Sequence, residues 1–140
     1  MDHATEQAVR SRARGLCEYC HALQTFYPER FQIDHIIARQ HRGETAMENL
    51  ALCCLECNLR KGPNIASIDP QSLARVDLFH PRRDIWNEHF LWRLGLLVGV
   101  TPVGRATVAL LDINRPPRLA VRLALIEEGV FPPADDPRDE

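Results

Sequence analysis

Four of the five cysteines form two Cys-x-x-Cys pairs, Cys17-Glu-Tyr-Cys20 and Cys54-Leu-Glu-Cys57. In a reducing compartment this spacing indicates metal-ligating thiolates rather than disulfides. Two such pairs are typical of a closed tetrahedral zinc site, in which the metal stabilises the fold. His21 could compete as a ligand, but four better-spaced cysteines make it redundant. Cys53 alternates with Cys54 along a predicted strand and is therefore expected to face elsewhere as a small buried residue.

Asp34, His35 and Asn58 could carry out metal-assisted chemistry. Asp34 offers an anionic oxygen and Asn58 a neutral amide oxygen, and hard cations such as Mg²⁺ take oxygen ligands of this kind. The pair suits Mg²⁺ or Mn²⁺ and leaves room for water. His35 is the natural general base, because the unperturbed pKa of its side chain lies near neutrality.

The sequence around these residues predicts a strand, a loop, a second strand and a helix, in that order. The segment Phe31-Gln-Ile-Asp-His-Ile-Ile37 is apolar and β-branched, which indicates a strand. Residues 50–53 predict a second strand, followed by a short helix that Gly62-Pro63 ends. The polar loop between the strands turns at Gly43. Neighbouring side chains on a regular strand face opposite sides. The first strand must therefore twist or end near Asp34 if Asp34 and His35 are to serve one site.

Together these segments resemble the HNH endonuclease family, in its zinc-stapled ββα-metal form. The family pattern is Asp-His, then Asn-Leu, then Cys-x-x-Cys-Asn-x-x-Lys-Gly. Here it reads Asp34-His35, Asn49-Leu50 and Cys54-Leu-Glu-Cys57-Asn58-Leu-Arg-Lys61-Gly62. The resemblance covers Cys17 to about Pro63, and the order and spacing of the pieces make it specific.

The resemblance implies a role for each matching residue. Asp34 and Asn58 would bind the catalytic Mg²⁺ or Mn²⁺, and His35 would deprotonate the attacking water. Asn49 would brace the loop and orient His35. The implied activity is hydrolysis of phosphodiester bonds in nucleic acid, with DNA as the expected substrate.

Two basic residues are candidate substrate contacts. Lys61 lies one helical turn after Asn58 on the same face, where it could contact a phosphate, and Arg60 is a weaker candidate. Lys61 is the only lysine, so nearly all the basic residues are arginines, which match phosphate geometry well.

Composition predicts a folded, cytoplasmic protein. The fractions of apolar residues (45%) and charged residues (26%) are those of globular rather than disordered chains. No apolar run is long enough to span a membrane, and the first residues lack the pattern of a signal peptide. The net charge of −2 conceals an acidic end: residues 127–140 hold six acidic residues and one arginine, so the rest carries a net positive charge.

The predicted fold class is α+β. We expect a zinc-stapled nuclease module in residues 1–65, an αβ extension in residues 66–133 that packs on it in one compact domain, and a disordered acidic tail in residues 134–140. The extension predicts a short helix over 70–76, a strand pair over 86–92 and 96–101, and two further helices. It carries no motif of its own.

Two other functions compete with the nuclease. A zinc-ribbon module that binds nucleic acid or protein would need the cysteines but no catalysis, since most zinc knuckles are structural. The second competing function is that of a purely structural interaction domain. Neither explains why an acid, a base and an amide accompany the cysteine pairs, and we therefore favour the enzyme.

Overall fold

The candidate residues lie on a short antiparallel hairpin that leads into a helix. Strand β1 (Gln32–His35) pairs with strand β2 (Leu50–Cys53), and helix α2 (Leu55–Lys61) follows β2 directly. Strand β1 is shorter than the predicted 31–37 because the backbone leaves the strand after His35. Helix α2 ends at Gly62 as predicted, and the strand–loop–strand–helix order belongs to the expected α+β class.

Helix α1 (His3–Ala13) covers one side of this hairpin. The Asp2 carboxylate caps the start of α1 by accepting the N–H of Thr5. Two residues of the helix, Val9 and Ala13, are buried. The Arg12 guanidinium donates to the carbonyl oxygens of Met47 (2.8 Å) and Leu50 (2.6 Å). These bonds tie the last turn of α1 to the point where β2 begins.

The computed structural model describes residues 1–139, which divide into two compact units. The first unit contains residues 1–65 and 80–84; the second contains residues 66–79 and the chain from Ile85 onward. Segment 80–84 was predicted as part of the extension, and the structure assigns it to the first unit. Within residues 1–139, no helix has both the length and the apolar character needed to cross a membrane.

The second unit consists of two hairpins and three helices within the described residues. Its elements are β3 (Ala66–Ile68), β4 (Arg75–Asp77), α3 (Trp86–His89), β5 (Phe90–Arg93), β6 (Leu96–Gly99), α4 (Pro102–Leu110) and α5 (Pro116–Glu127). Thr101 caps α4 by accepting the N–H of Gly104, and α4 packs on β6 and β4.

Two predictions in the second unit are wrong. Residues 70–76 form no helix: the Asp69 carboxylate accepts the N–H groups of Gln71 and Ser72 and closes a turn, so β3 and β4 pair as a hairpin. The predicted strand over 86–92 begins with the short helix α3, and only Phe90–Arg93 pairs with β6.

The expected disorder of the acidic tail is also wrong for residues 134–139. Asp136 is buried, and its carboxylate accepts a 2.8 Å hydrogen bond from the Trp92 indole. Trp92 also exchanges backbone hydrogen bonds with Pro137 and Asp139. The acidic composition of the tail gave no sign that Asp136 would bind the Trp92 indole. Residue 140, which belongs to the predicted tail, lies outside the described residues.

Candidate active site and metal centre

The four predicted zinc ligands meet in the first unit. The sulfur atoms of Cys17, Cys20, Cys54 and Cys57 all lie within 4.8 Å of one another, and all four residues are buried. The Cys20 and Cys54 sulfurs are 3.7 Å apart. A tetrahedral zinc with sulfur–metal distances of about 2.3 Å separates its sulfurs by about 3.8 Å. The cluster therefore fits a structural site of the zinc type, and none of the five cysteines, all of which the structure describes, forms a disulfide.

Cys53 is buried beside this cluster without being one of its four members. Its thiol contacts that of Cys17, so it lies closer to the cluster than the prediction that it faces elsewhere suggests. Burial, together with Cys17, raises the pKa of the Cys53 thiol well above its usual value.

Glu18 positions the first cysteine pair against the hairpin. Its backbone N–H donates to the Leu52 carbonyl (2.8 Å), and its carboxylate accepts the Leu52 N–H (2.8 Å). The same carboxylate forms an ion pair with Arg82, from segment 80–84. Backbone and side chain thus fix the first pair next to the strand that leads to the second.

The unit that holds the zinc-type cluster also contains a cleft of about 240 Å³. The end of β1, the start of the following loop and helix α2 form its walls. The structure brings Asp34, His35 and Asn58 together there. The cleft lining is Ile33, Asp34, His35, Ala38, Arg39, Asn58, Gly62 and Pro63.

Asp34 is held by two buried partners. Its Oδ2 atom accepts a hydrogen bond from the Tyr19 hydroxyl (2.8 Å) and lies 3.1 Å from the Lys61 ammonium. Only 7% of Asp34 and 1% of Lys61 are exposed. Burial raises the pKa of Asp34 above its usual value, and Lys61 and Tyr19 act in the opposite direction. Tyr19 was not predicted; its place inside the first Cys-x-x-Cys pair gave no signal of this contact.

Lys61 also fixes the point where β1 ends. Its ammonium donates to the carbonyl oxygens of Ile36 (3.0 Å) and His35 (3.4 Å). Successive carbonyls of a regular strand point in opposite directions, so two of them converging on one nitrogen show that the strand has ended. This change of direction explains how the neighbours Asp34 and His35 both line one cleft.

The placement of Lys61 differs from the predicted one. A phosphate contact must be reachable from solvent, whereas the Lys61 ammonium is enclosed by Asp34 and two carbonyls. Arg60, the weaker candidate, is partly exposed and pairs with Glu56 one helical turn earlier (3.5 Å).

His35 is only partly buried, and its ring has a partner that sequence reasoning missed. The Nε2 atom lies 2.9 Å from the Thr45 hydroxyl. Desolvation lowers the pKa of His35 below its usual value, the nearby Arg39 lowers it further, and Asp34 opposes the change. A lowered pKa favours the neutral imidazole, the form that accepts a proton. Thr45 lies in the polar loop, where no spacing rule marks a partner.

Asn49 braces the loop. Its amide donates to the Ile37 (3.0 Å) and Glu44 (2.8 Å) carbonyls and accepts the Ile37 N–H (2.8 Å). Gly43 permits this arrangement, because a Cβ there would lie 1.7 Å from the Ile37 carbonyl oxygen and 2.9 Å from the Asn49 amide nitrogen. Asn49 contacts the loop backbone, not the His35 ring.

Asn58 projects from α2 and lines the cleft. Within residues 1–139 its side-chain amide has no hydrogen-bond partner, so its oxygen is available to a ligand. One carboxylate, one amide and an open cleft match the ligands that a hard divalent cation takes when it keeps several waters.

Comparison with known proteins identifies one family. The family model described as HNH endonuclease matches residues 17–64, the segment that holds the cysteine cluster, the hairpin and α2. Searches of curated proteins and of solved structures returned no match.

Proposed function

From the HNH endonuclease match of residues 17–64, we propose that this chain is a metal-dependent endonuclease. It would hydrolyse phosphodiester bonds in nucleic acid, and DNA is the proposed substrate. The observation that carries the proposal is the cleft, which Asp34, His35 and Asn58 line together in the same unit as the cysteine cluster. The expected cytoplasmic location stays a prediction.

Asp34 and Asn58 are the residues that would hold the catalytic Mg²⁺ or Mn²⁺. When bound, such an ion stabilises charge on the phosphate and on the leaving oxygen. Tyr19 and Lys61 orient the Asp34 carboxylate, while the Asn58 amide reaches the same cleft from α2.

His35 would take the proton of the attacking water. Because Thr45 engages the Nε2 atom, the Nδ1 atom is the one we assign to the water. Asn49 supports this step indirectly, by holding the loop that begins just after His35.

The competing function is a zinc-ribbon module that binds nucleic acid or protein without cutting it. The cysteine cluster alone would serve either function. The cleft favours the enzyme, because binding does not require a base held by a hydroxyl next to an oriented carboxylate.

The decisive experiment compares His35→Ala with a matched control, His41→Ala, which removes an exposed histidine from the same loop. Supercoiled and linear DNA are incubated with each protein, with and without Mg²⁺ or Mn²⁺. His35→Ala should cut on the order of 10²- to 10⁴-fold more slowly, the usual contribution of a general base, while His41→Ala should cut like the parent.

Asp34→Ala should instead weaken binding of the catalytic ion, so part of its activity should return at raised Mg²⁺ or Mn²⁺. Zinc content should be unchanged in the His35 variant. If the parent cuts no nucleic acid with either ion, the binding-module function is correct. If His35→Ala cuts as fast as the parent, the base is another residue.

A further inference from the structure

We propose that Arg39 contacts the substrate phosphate in this cleft, in the place that the sequence assigned to Lys61. The inference rests on the proposed function and adds a substrate-binding residue to it.

Arg39 begins the turn Arg39–His41, in the loop that follows β1. It is exposed, and it lines the cleft together with Asp34, His35 and Asn58. Among residues 1–139 its guanidinium has no hydrogen-bond or ion-pair partner. It is therefore a cation at the cleft that the protein itself leaves uncompensated.

The charges around the cleft show what this cation can bind. Lys61 already balances Asp34 at 3.1 Å, and Asn58 is neutral. Arg39 therefore leaves the cleft positive even before a divalent cation enters. Such a site attracts an anion, and a phosphodiester is the anion that a water deprotonated by the adjacent His35 could attack.

The guanidinium suits this ligand in geometry as well as in charge. Its planar set of donors can bind two phosphate oxygens at once, which a lysine ammonium cannot do with a fixed orientation. Lys61 is unsuited to the role, because its donors are directed to Asp34 and to the His35 and Ile36 carbonyls.

Arg42 provides a matched control. It ends the same turn and is also exposed, but it does not line the cleft. If Arg39 were only a solvated surface arginine, replacing either residue would have the same effect.

The first measurement is the binding of a fluorescently labelled DNA duplex without added divalent cation, over a series of salt concentrations. Arg39→Ala should reduce the slope of log affinity against log salt by about one phosphate contact, a change of about 0.9. Zinc content and circular dichroism verify that the variant is folded.

The second measurement is the cleavage rate at saturating DNA with Mg²⁺ or Mn²⁺. Loss of a charge-assisted hydrogen bond should lower the rate of Arg39→Ala about 10- to 100-fold. Arg39→Lys should keep the salt slope and recover only part of the rate, since it keeps the charge but not the two-oxygen contact. Arg42→Ala should cut at the parental rate.

Failure of this inference differs from failure of the proposed function. If the parent cuts and Arg39→Ala matches Arg42→Ala in salt slope and rate, Arg39 is not a phosphate contact and the nuclease proposal stands. If the parent cuts nothing, the nuclease proposal fails. The salt slope alone then decides: a reduction specific to Arg39→Ala supports the contact, and an unchanged slope overturns it.

Discussion

Replacing Lys61 by methionine tests whether the buried ion pair stabilises the first unit. Methionine keeps an unbranched apolar chain but removes the ammonium that lies 3.1 Å from Asp34 Oδ2 and 3.0 Å from the Ile36 carbonyl oxygen. The Asp34 carboxylate would remain buried with Tyr19 as its hydrogen-bond donor. The substitution therefore leaves a buried charge without its counter-charge.

The expected loss follows from how deeply the pair is buried. Only 2% of the Lys61 side chain and 8% of the Asp34 side chain are exposed, so solvent screens the pair little. Removing one partner of such a pair costs about 3–5 kcal/mol. Adding Asp34→Asn should restore part of this loss, because the amide carries no charge. Arg60→Ala, which removes only a partly exposed pair with Glu56, should cost about 0.3–0.5 kcal/mol.

Native-state hydrogen exchange measures this loss in the affected unit. The amides of β1 and α2 give the free energy of opening for the parent, Lys61→Met, Arg60→Ala and the double variant. Exchange should accelerate in both elements for Lys61→Met. If Lys61→Met opens as rarely as Arg60→Ala, or if adding Asp34→Asn deepens the loss, the pair does not hold β1 to α2.

Two further predictions concern the cysteines and the second unit. Cys54→Ser should lose the bound zinc that elemental analysis detects, and its first unit should become sensitive to protease. Cys53→Ala should keep one zinc per chain. Loss of zinc from Cys53→Ala but not from Cys54→Ser would show that Cys53 is the ligand. A hydrogen bond from Arg105 chiefly lowers the pKa of Asp69. A carboxylate whose pKa is lowered in the folded state stabilises that state at pH values above the unfolded-state pKa, which is about 3.9. This stabilisation is lost as the pH falls from there towards the folded-state pKa. Tryptophan fluorescence in urea should therefore show the second unit weakening in acid, less so in Arg105→Gln; equal weakening would contradict this.

The sequence predicted the hairpin, helix α2 and the cysteine cluster because their signals are local. A Cys-x-x-Cys spacing constrains the ligands whatever surrounds them, and Gly62 ends α2 through its own backbone freedom. Apolar β-branched residues marked the hairpin. The α+β class follows from these local features.

The errors arose where a contact distant in sequence decided the outcome. Asp69 predicted a helix start, but it caps a turn and pairs with Arg105, 36 residues away. The acidic tail is ordered through Trp92, 44 residues before Asp136. Lys61 has the helical position of a phosphate contact, but its fit to the end of β1 depends on tertiary structure.

The burial of the only lysine also affects the chemistry of the whole chain. Lys61 carries the only side-chain amine in these 140 residues, and it is 1% exposed where β1 meets α2. An acylating reagent can reach it only after these elements separate. Its rate of acylation therefore reports the opening of this one junction. The neutral amide so formed can no longer pair with Asp34, so each opening that is captured becomes irreversible.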